Sequence, residues 1–216
     1  MNVLILKTIA LITMIIDHYG ALFSPFNMDY RIIGRLAFPI YCFLLVEGYT
    51  HTRDIKKYLV RILIFAFISE IPFDFAFYGG TYWPHQNIFF TLAIGLVAMH
   101  LFNKDQGFIS TKNLTVTISA ATLATLFATD YNFIGIIYIT AFFFTRNLKP
   151  LKRMFIVGIV LYLVNSFGAS IIQQYSLLAL PILALYNKKI GPKNKVLQLL
   201  YYIAYPAHLF IFFLLK

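Results

Sequence analysis

Apolar runs follow one another along this chain with little between them, several of them reaching the roughly 20 residues that carry a helix across a bilayer's hydrocarbon core. No soluble fold can bury them all. Of the 216 residues 60% are hydrophobic and 12% charged, with a mean hydropathy of +0.77, against roughly 45–50% and 25% in soluble domains. The runs are too long and too unalternating for a transmembrane barrel. Aromatics at 18% exclude a disordered chain. The expected architecture is an all-α, polytopic transmembrane bundle forming a single domain over residues 1–216, multi-pass in a cell membrane, with the lipid bilayer as its first partner.

Apolar windows and their breakers place spans near residues 3 to 23, 31 to 50, 58 to 77, 87 to 103, 114 to 128, 132 to 145, 154 to 169, 171 to 186 and 196 to 215. About nine spans result. The fifth to eighth are the least regular, because two are short and Gln173-Gln174 and Pro181 interrupt the eighth. Half-helices or a merged pair there would change the count to ten or eight.

Net charge is +10, and in a soluble protein that would point to nucleic acid. Here the cations sit in short connections, as membrane topology requires, and no nucleic-acid partner is expected. Arg53, Lys56, Lys57 and Arg61 follow span two, Lys104 and Lys112 span four, Arg146, Lys149, Lys152 and Arg153 span six, and Lys188, Lys189, Lys193 and Lys195 span eight. The odd-numbered connections are nearly bare. By the positive-inside rule the N-terminus and the even connections are cytoplasmic, and the loops around Asp29, His85, Asp130 and Gly168 face outward. The first run lacks a basic n-region and a cleavage site and contains Asp17-His18, so it is expected to be a retained span. A single cysteine, Cys42, excludes an internal disulfide and reads as packing.

Ionisable groups inside spans cost on the order of 2.5–3.5 kcal/mol each, so they are expected to face the bundle interior. Two layers emerge. Lys7, Glu47 and Arg61 fall near the cytoplasmic level, where they could satisfy one another. Toward the outer half lie Asp17 and His18, Arg31 and Arg35, Glu70 and Asp74, Asn87, and Asp130. Arg31 and Arg35 share a helix face, as do Glu70 and Asp74; set opposite each other, two cations and two carboxylates would offset most of the burial penalty.

The first span carries the sharpest geometry. Lys7 and His18 are eleven residues apart, close to three helical turns, so both lie on one face about 16 Å apart along the axis. Asp17 is about 100° round from His18 and is not expected to be its partner, so another span must orient the imidazole. An imidazole can take up and release a proton near neutral pH, which makes His18 a candidate acid–base or nucleophilic group. His208 on the last span, beside Pro206, is a candidate partner or a cap for a kink. His51, His85 and His100 read as interfacial. No carboxylate-rich His-x-x-His pattern is present, and no metal is expected.

Leu6-Lys7-Thr8-Ile9-Ala10 through Met14-Ile15-Ile16-Asp17-His18, Gly34-Arg35-Leu36-Ala37-Phe38-Pro39, Glu47-Gly48-Tyr49-Thr50-His51-Thr52-Arg53, Tyr58-Leu59-Val60-Arg61, Ser69-Glu70-Ile71-Pro72-Phe73-Asp74, Asn87-Ile88-Phe89-Phe90-Thr91-Leu92 and Tyr205-Pro206-Ala207-His208-Leu209 together resemble the TraX family, whose namesake is the conjugative pilin acetylase. The likeness is dense to about residue 100 and thin between Thr111 and Ser170. That family is similar in turn to integral-membrane acyltransferases that carry an acyl group from cytosolic acyl-CoA to an acceptor beyond the membrane. In many of those a basic residue precedes the active-site position on the first span by eleven residues, as Lys7 precedes His18, with Lys here in place of the commoner Arg.

The resemblance implies an acetyl-CoA-dependent acetyltransferase acting on an amine or hydroxyl of an extracytoplasmic acceptor: a pilin-like protein, a peptide or a glycan. On that footing Lys7, Glu47, Arg53, Lys57 and Arg61, together with Lys56, form the cofactor side, where cations hold the phosphates of coenzyme A. His18 is the catalytic base or the acetyl-accepting nucleophile, with Asp17, Glu70 and His208 as its partners. Arg35, Asn87 and Asp74 are the orienting set, Arg35 or Asn87 stabilising the oxyanion. Two other classes remain open: an ion-coupled small-solute transporter using Asp17, Glu70, Asp74 and His208 as a relay, and a non-catalytic membrane component of an export or pilus assembly.

Overall fold

The structure, a computed structural model, describes residues 1–168, 170–189, 191 and 194–216, with the surroundings of Gly168 and the side chain of Lys195 outside the description. The Ala169 end of the seventh expected span, and Lys193 and the Lys195 side chain of the last basic connection, therefore lie outside the described residues. Among those described, the secondary structure is helical, and pairing of extended backbone is confined to an isolated bridge between Gln86 and Thr129.

Helix α1 (Val3–Phe23) is followed by α2 (Met28–Gly34), α3 (Ala37–His51), α4 (Ile55–Tyr78), α5 (Ile88–Leu101), α6 (Thr111–Leu126), α7 (Asn132–Phe144), α8 (Pro150–Gly168), a 3₁₀ segment (Ile171–Leu178), α9 (Ala179–Ala184) and α10 (Lys195–Leu215). Among the described residues four stretches, Val3–Phe23, Met28–His51, Pro150–Phe167 and Val196–Leu215, are long and apolar enough to cross a membrane. They mark the chain as a membrane protein. The expected second span is broken at Arg35-Leu36 into α2 and α3, and the eighth is a 3₁₀ segment running into the short α9. Pro181 accounts for part of the second departure, because it denies an amide hydrogen to the carbonyl of Leu177.

Helix ends follow local chemistry. Asn2, Asp54 and Asn87 cap α1, α4 and α5 by accepting the backbone N–H of Ile5, Lys57 and Phe89, each at 3.0 Å. α3 and α7 are buried on most of their circumference, as expected of helices apolar all round. α1 packs on α2, α3 and α10, α4 packs on α5 and α10, and α7 touches α3, α5, α6 and α8. Pro72 in α4 and Pro206 in α10 each leave the carbonyl four residues earlier, Ile68 and Tyr202, without its usual helical donor. The paired helices α4 and α10 stand beside α1 and wall in the face that carries Lys7, Met14 and His18.

Candidate functional site

His18 finds its partner on α10. Its Nδ1 lies 2.7 Å from Nε2 of His208, and the rings stack with centroids 5.0 Å apart. The Nδ1 of His208 is 2.8 Å from the carbonyl oxygen of Ala204. A carbonyl can only accept, so that nitrogen carries a proton, and in the neutral tautomer Nε2 is left with a lone pair. His18 Nδ1–H must then donate to it. The consequence is that Nε2 of His18 is the unprotonated nitrogen of the pair, free to take a proton or attack a carbonyl. Phe77 and Tyr205 close on His18 edge-first, at 5.4 and 6.0 Å between centroids, and hold the ring in place.

Asp17 turns away from His18, as its angular offset requires. Its Oδ1 accepts from Arg35 Nη2 at 2.5 Å, its Oδ2 from Arg31 Nη1 at 2.9 Å, and its main-chain oxygen from the same Arg31 Nη1 at 3.0 Å. Arg35 continues to the Oε1 of Gln173 at 3.1 Å and the hydroxyl of Tyr131 at 3.2 Å. The expected pairing of these arginines with Glu70 and Asp74 is therefore wrong: one carboxylate from α1 serves both cations. Gly34 makes this possible, since a Cβ there would collide with the Asp17 carboxylate.

Glu70 does not orient His18. It is hydrogen-bonded to the Nδ2 of Asn87, and Asp74 accepts the backbone N–H of Tyr82 at 2.8 Å. Asn87 is fully buried, and its amide also donates to the carbonyl of Ala66 at 2.8 Å. With those donors committed it is not placed to hold an oxyanion. None of Glu70, Asp74 and Asn87 lines either cavity described below.

Two cavities meet on this face. One, of about 210 Å³, is lined by Asp17, His18, Arg31, Arg35, His85 and Asp130 among apolar and aromatic walls. The other, of about 540 Å³, is lined by Lys7, Glu47, His51, Arg61 and the hydroxyl-bearing rings of Tyr58, Tyr201 and Tyr202. Met14, Tyr41, Ile88 and Tyr205 belong to both linings. The helical spacing of Lys7, Met14 and His18 thus puts one end of α1 in each cavity and Met14 at the junction.

The cations sort less simply than their clustering along the chain implies. Lys7 sits 5.9 Å from the Tyr201 ring centre. Arg61 lies between the rings of Tyr58 and Tyr202, at 5.2 and 5.4 Å, and donates to the Tyr202 hydroxyl at 3.2 Å. Glu47 pairs with Arg153 at 3.5 Å instead of with Lys7 or Arg61. Arg53 and Lys57 are exposed and line neither cavity; Lys57 pairs with Asp54 at 3.4 Å. His51 and His85, read from sequence as interfacial, are cavity residues, while His100 is exposed.

At the His18 side, Tyr78 and His85 Nδ1 are hydrogen-bonded at 2.6 Å, and His85 Nε2 is 4.0 Å from Asp130. Burial pushes the Asp130 carboxyl above the usual carboxylate range, against the opposing pull of His85 and Arg35. Tyr131, next in the chain, has a φ of 62° and stacks on Phe38 at 3.7 Å, which brings its hydroxyl to Arg35. A left-handed tyrosine has no sequence signature, and neither Tyr131 nor Gln173 stands out along the chain as a cavity or cation partner.

The TraX protein family model matches residues 3–216. A protein of Dichelobacter nodosus described as "Probable fimbrial assembly protein FimC, serogroup H1" is 40% identical over 111 residues, covering 44% of this chain and 43% of that protein. An uncharacterized protein of Rickettsia prowazekii (strain Madrid E) is 42% identical over 67 residues, covering 31% of this chain and 25% of the relative. The chain thus spans less than half the length of either curated relative. No solved structure matches it.

Proposed function

The chain belongs to the TraX family, and from that premise we propose that it is an integral-membrane acetyltransferase, moving acetyl from cytoplasmic acetyl-CoA to an amine or hydroxyl of an extracytoplasmic acceptor. The observation that carries this reading is the pair of abutting cavities, with Lys7 in one and His18 in the other. A carrier with an anionic head and a long flexible arm suits that arrangement. Lys7 and Arg61 would hold the phosphates of coenzyme A, and the arm would bring the thioester to the wall shared by both cavities. The Lys7 side then faces the cytoplasm, in keeping with the basic even-numbered connections, and the protein sits as a multi-pass protein in a bacterial inner or plasma membrane.

The acceptor enters from the His18 side. As its nitrogen or oxygen forms a bond to the acetyl carbon, Nε2 of His18 takes the proton; collapse of the tetrahedral adduct expels the coenzyme A thiolate, which recovers that proton from His18. In the alternative order Nε2 attacks first and expels the coenzyme A thiolate, the Nδ1 proton passing toward His208, and the acetyl-histidine so formed is discharged by the acceptor, which returns the free imidazole. His208 serves either route by fixing the tautomer. Holding both reactants at one junction supplies much of the rate. A pilin-like acceptor is favoured by the Dichelobacter nodosus relative, whose description places it in fimbrial assembly.

Incubating the purified protein with isotope-labelled acetyl-CoA and N-terminal peptides of pilin-like proteins, followed by mass spectrometry of protein and peptides, tests the proposal. Label on an acceptor or on His18 supports it. No consumption of acetyl-CoA, with solute accumulating in proteoliposomes that lack acyl-CoA, favours a transporter instead. Two substitutions check the cofactor side. Lys7→Ala is expected to raise the apparent KM for acetyl-CoA by about tenfold with kcat nearly unchanged, as for a lost charge-assisted contact made in ground and transition states alike. Lys57→Ala, outside the cavity, is expected to leave that KM at the wild-type value.

A further inference from the structure

The junction between the cavities has four lining residues in common, and only two of them carry a hydrogen-bond donor. Met14 and Ile88 are apolar; Tyr41 and Tyr205 bring hydroxyls. Among the described residues neither hydroxyl donates its hydrogen to a partner: the backbone N–H of Ile88 approaches the Tyr205 oxygen as a donor and leaves that hydrogen free, and neither group is an enclosed orphan of the packed interior. The hydroxyls of Tyr78, Tyr131, Tyr201 and Tyr202 bond His85, Arg35, Thr8 and Arg61, and each of those rings lines one cavity only. Tyr205 is also held firmly. It is 4% exposed and packs edge-first against His18, Phe89 and His208, with centroids at 6.0, 5.2 and 5.7 Å.

A thioester delivered from the Lys7 side and attacked with help from His18 must place its carbonyl at this junction. The developing oxyanion needs a donor there, and of the two candidates read from sequence Asn87 is committed to Glu70 and Ala66, while Arg35, bonded to Asp17, Gln173 and Tyr131, lines the His18 cavity but not the shared wall. We propose that Tyr205, with Tyr41 on the same shared wall, donates its hydroxyl hydrogen to the acetyl carbonyl oxygen during transfer. The bond to the incoming nucleophile forms as the carbonyl π pair moves onto oxygen, where the hydroxyls hold it. When that pair re-forms the carbonyl, the carbon–sulfur bond breaks and the thiolate leaves with the proton taken up by His18. Both tyrosines are then catalytic residues in the strict sense, touching the reacting atoms.

This assignment rests on the acetyl-transfer reading, and its test separates the two. Tyr205→Phe and Tyr41→Phe keep the aromatic wall and remove only the donor. Steady-state kinetics with acetyl-CoA and a peptide amine are measured beside the infrared carbonyl band of bound, carbonyl-labelled acetyl-CoA. Tyr205→Phe is expected to lower kcat by about 10²-fold with KM within a few-fold, and to shift the bound carbonyl band to higher frequency than in the wild type. If kcat stays within about threefold in both variants and the band does not move, the hydroxyls are not the donors. A wild type that neither binds nor turns over acetyl-CoA overturns the acetyl-transfer reading and this assignment with it.

Discussion

His18→Ala is expected to abolish acetyl transfer, lowering kcat by at least about 10³-fold, while acetyl-CoA affinity stays within a few-fold of the wild type. The asymmetry follows from where each group acts. Lys7 and Arg61, which would hold the carrier's phosphates, line the larger cavity, whereas His18 lines the smaller one beyond the shared wall. Nothing that anchors coenzyme A is lost with the imidazole. His208→Ala is expected to cost less, about 10²-fold in kcat, because it leaves Nε2 of His18 in place but removes the acceptor that fixes its tautomer and ring orientation. Single-turnover transfer of labelled acetyl, with binding of acetyl-CoA measured by calorimetry on the same preparations, checks both. Retention of more than a tenth of the wild-type rate by His18→Ala would remove the imidazole from the chemistry. A fall in acetyl-CoA affinity that accounts for the lost rate would instead make the helix face a binding surface alone.

What could be read from sequence was whatever depended on one helix. The interval between Lys7 and His18 contains its own geometry, since a continuous helix fixes both angle and rise, and α1 runs unbroken from Val3 to Phe23. The turn of Asp17 away from His18 follows from the same arithmetic. Partner choice across helices has no such rule. Glu70 and Asp74 are as near to Arg31 and Arg35 along the chain as many true pairs, yet α1 packs on α2 closely enough, through Gly34, for Asp17 to reach both guanidinium groups first. The cations after the second span show the same loss of information. Lys57 and Arg61 are four residues apart, but Arg61 lies among Tyr58 and Tyr202 while Lys57 stands in solvent beside Asp54. Tyr131 and Gln173 are supplied by segments whose backbone is left-handed or 3₁₀, conformations set by tertiary packing.

The second large effect separates structure from chemistry at Asp17. Asp17→Ala is expected to destabilise the folded protein by about 3–5 kcal/mol, the cost of leaving buried charge without its counter-ion. The carboxylate is 12% exposed and answers Arg35, itself 10% exposed, and Arg31, at 27%. Removing it strands both cations, and Gln173 and Tyr131 offer Arg35 only neutral partners. Asp17→Asn keeps the volume but can accept from only one of the two arginines through its single carbonyl oxygen, so it is expected to lose most of the same stability. Arg31→Ala, which leaves the Arg35 pair intact and removes the more exposed cation, is expected to cost about 1–2 kcal/mol. Thermal unfolding in detergent or nanodiscs ranks the three. The decisive comparison is with His18→Ala: transfer by the Asp17 variants is expected to fall in proportion to the folded fraction, with kcat per folded molecule close to wild type, whereas the His18 variant melts normally and does no chemistry. An Asp17→Asn protein that melts like the wild type and still loses transfer by 10²-fold or more would move this carboxylate from the scaffold into the reaction.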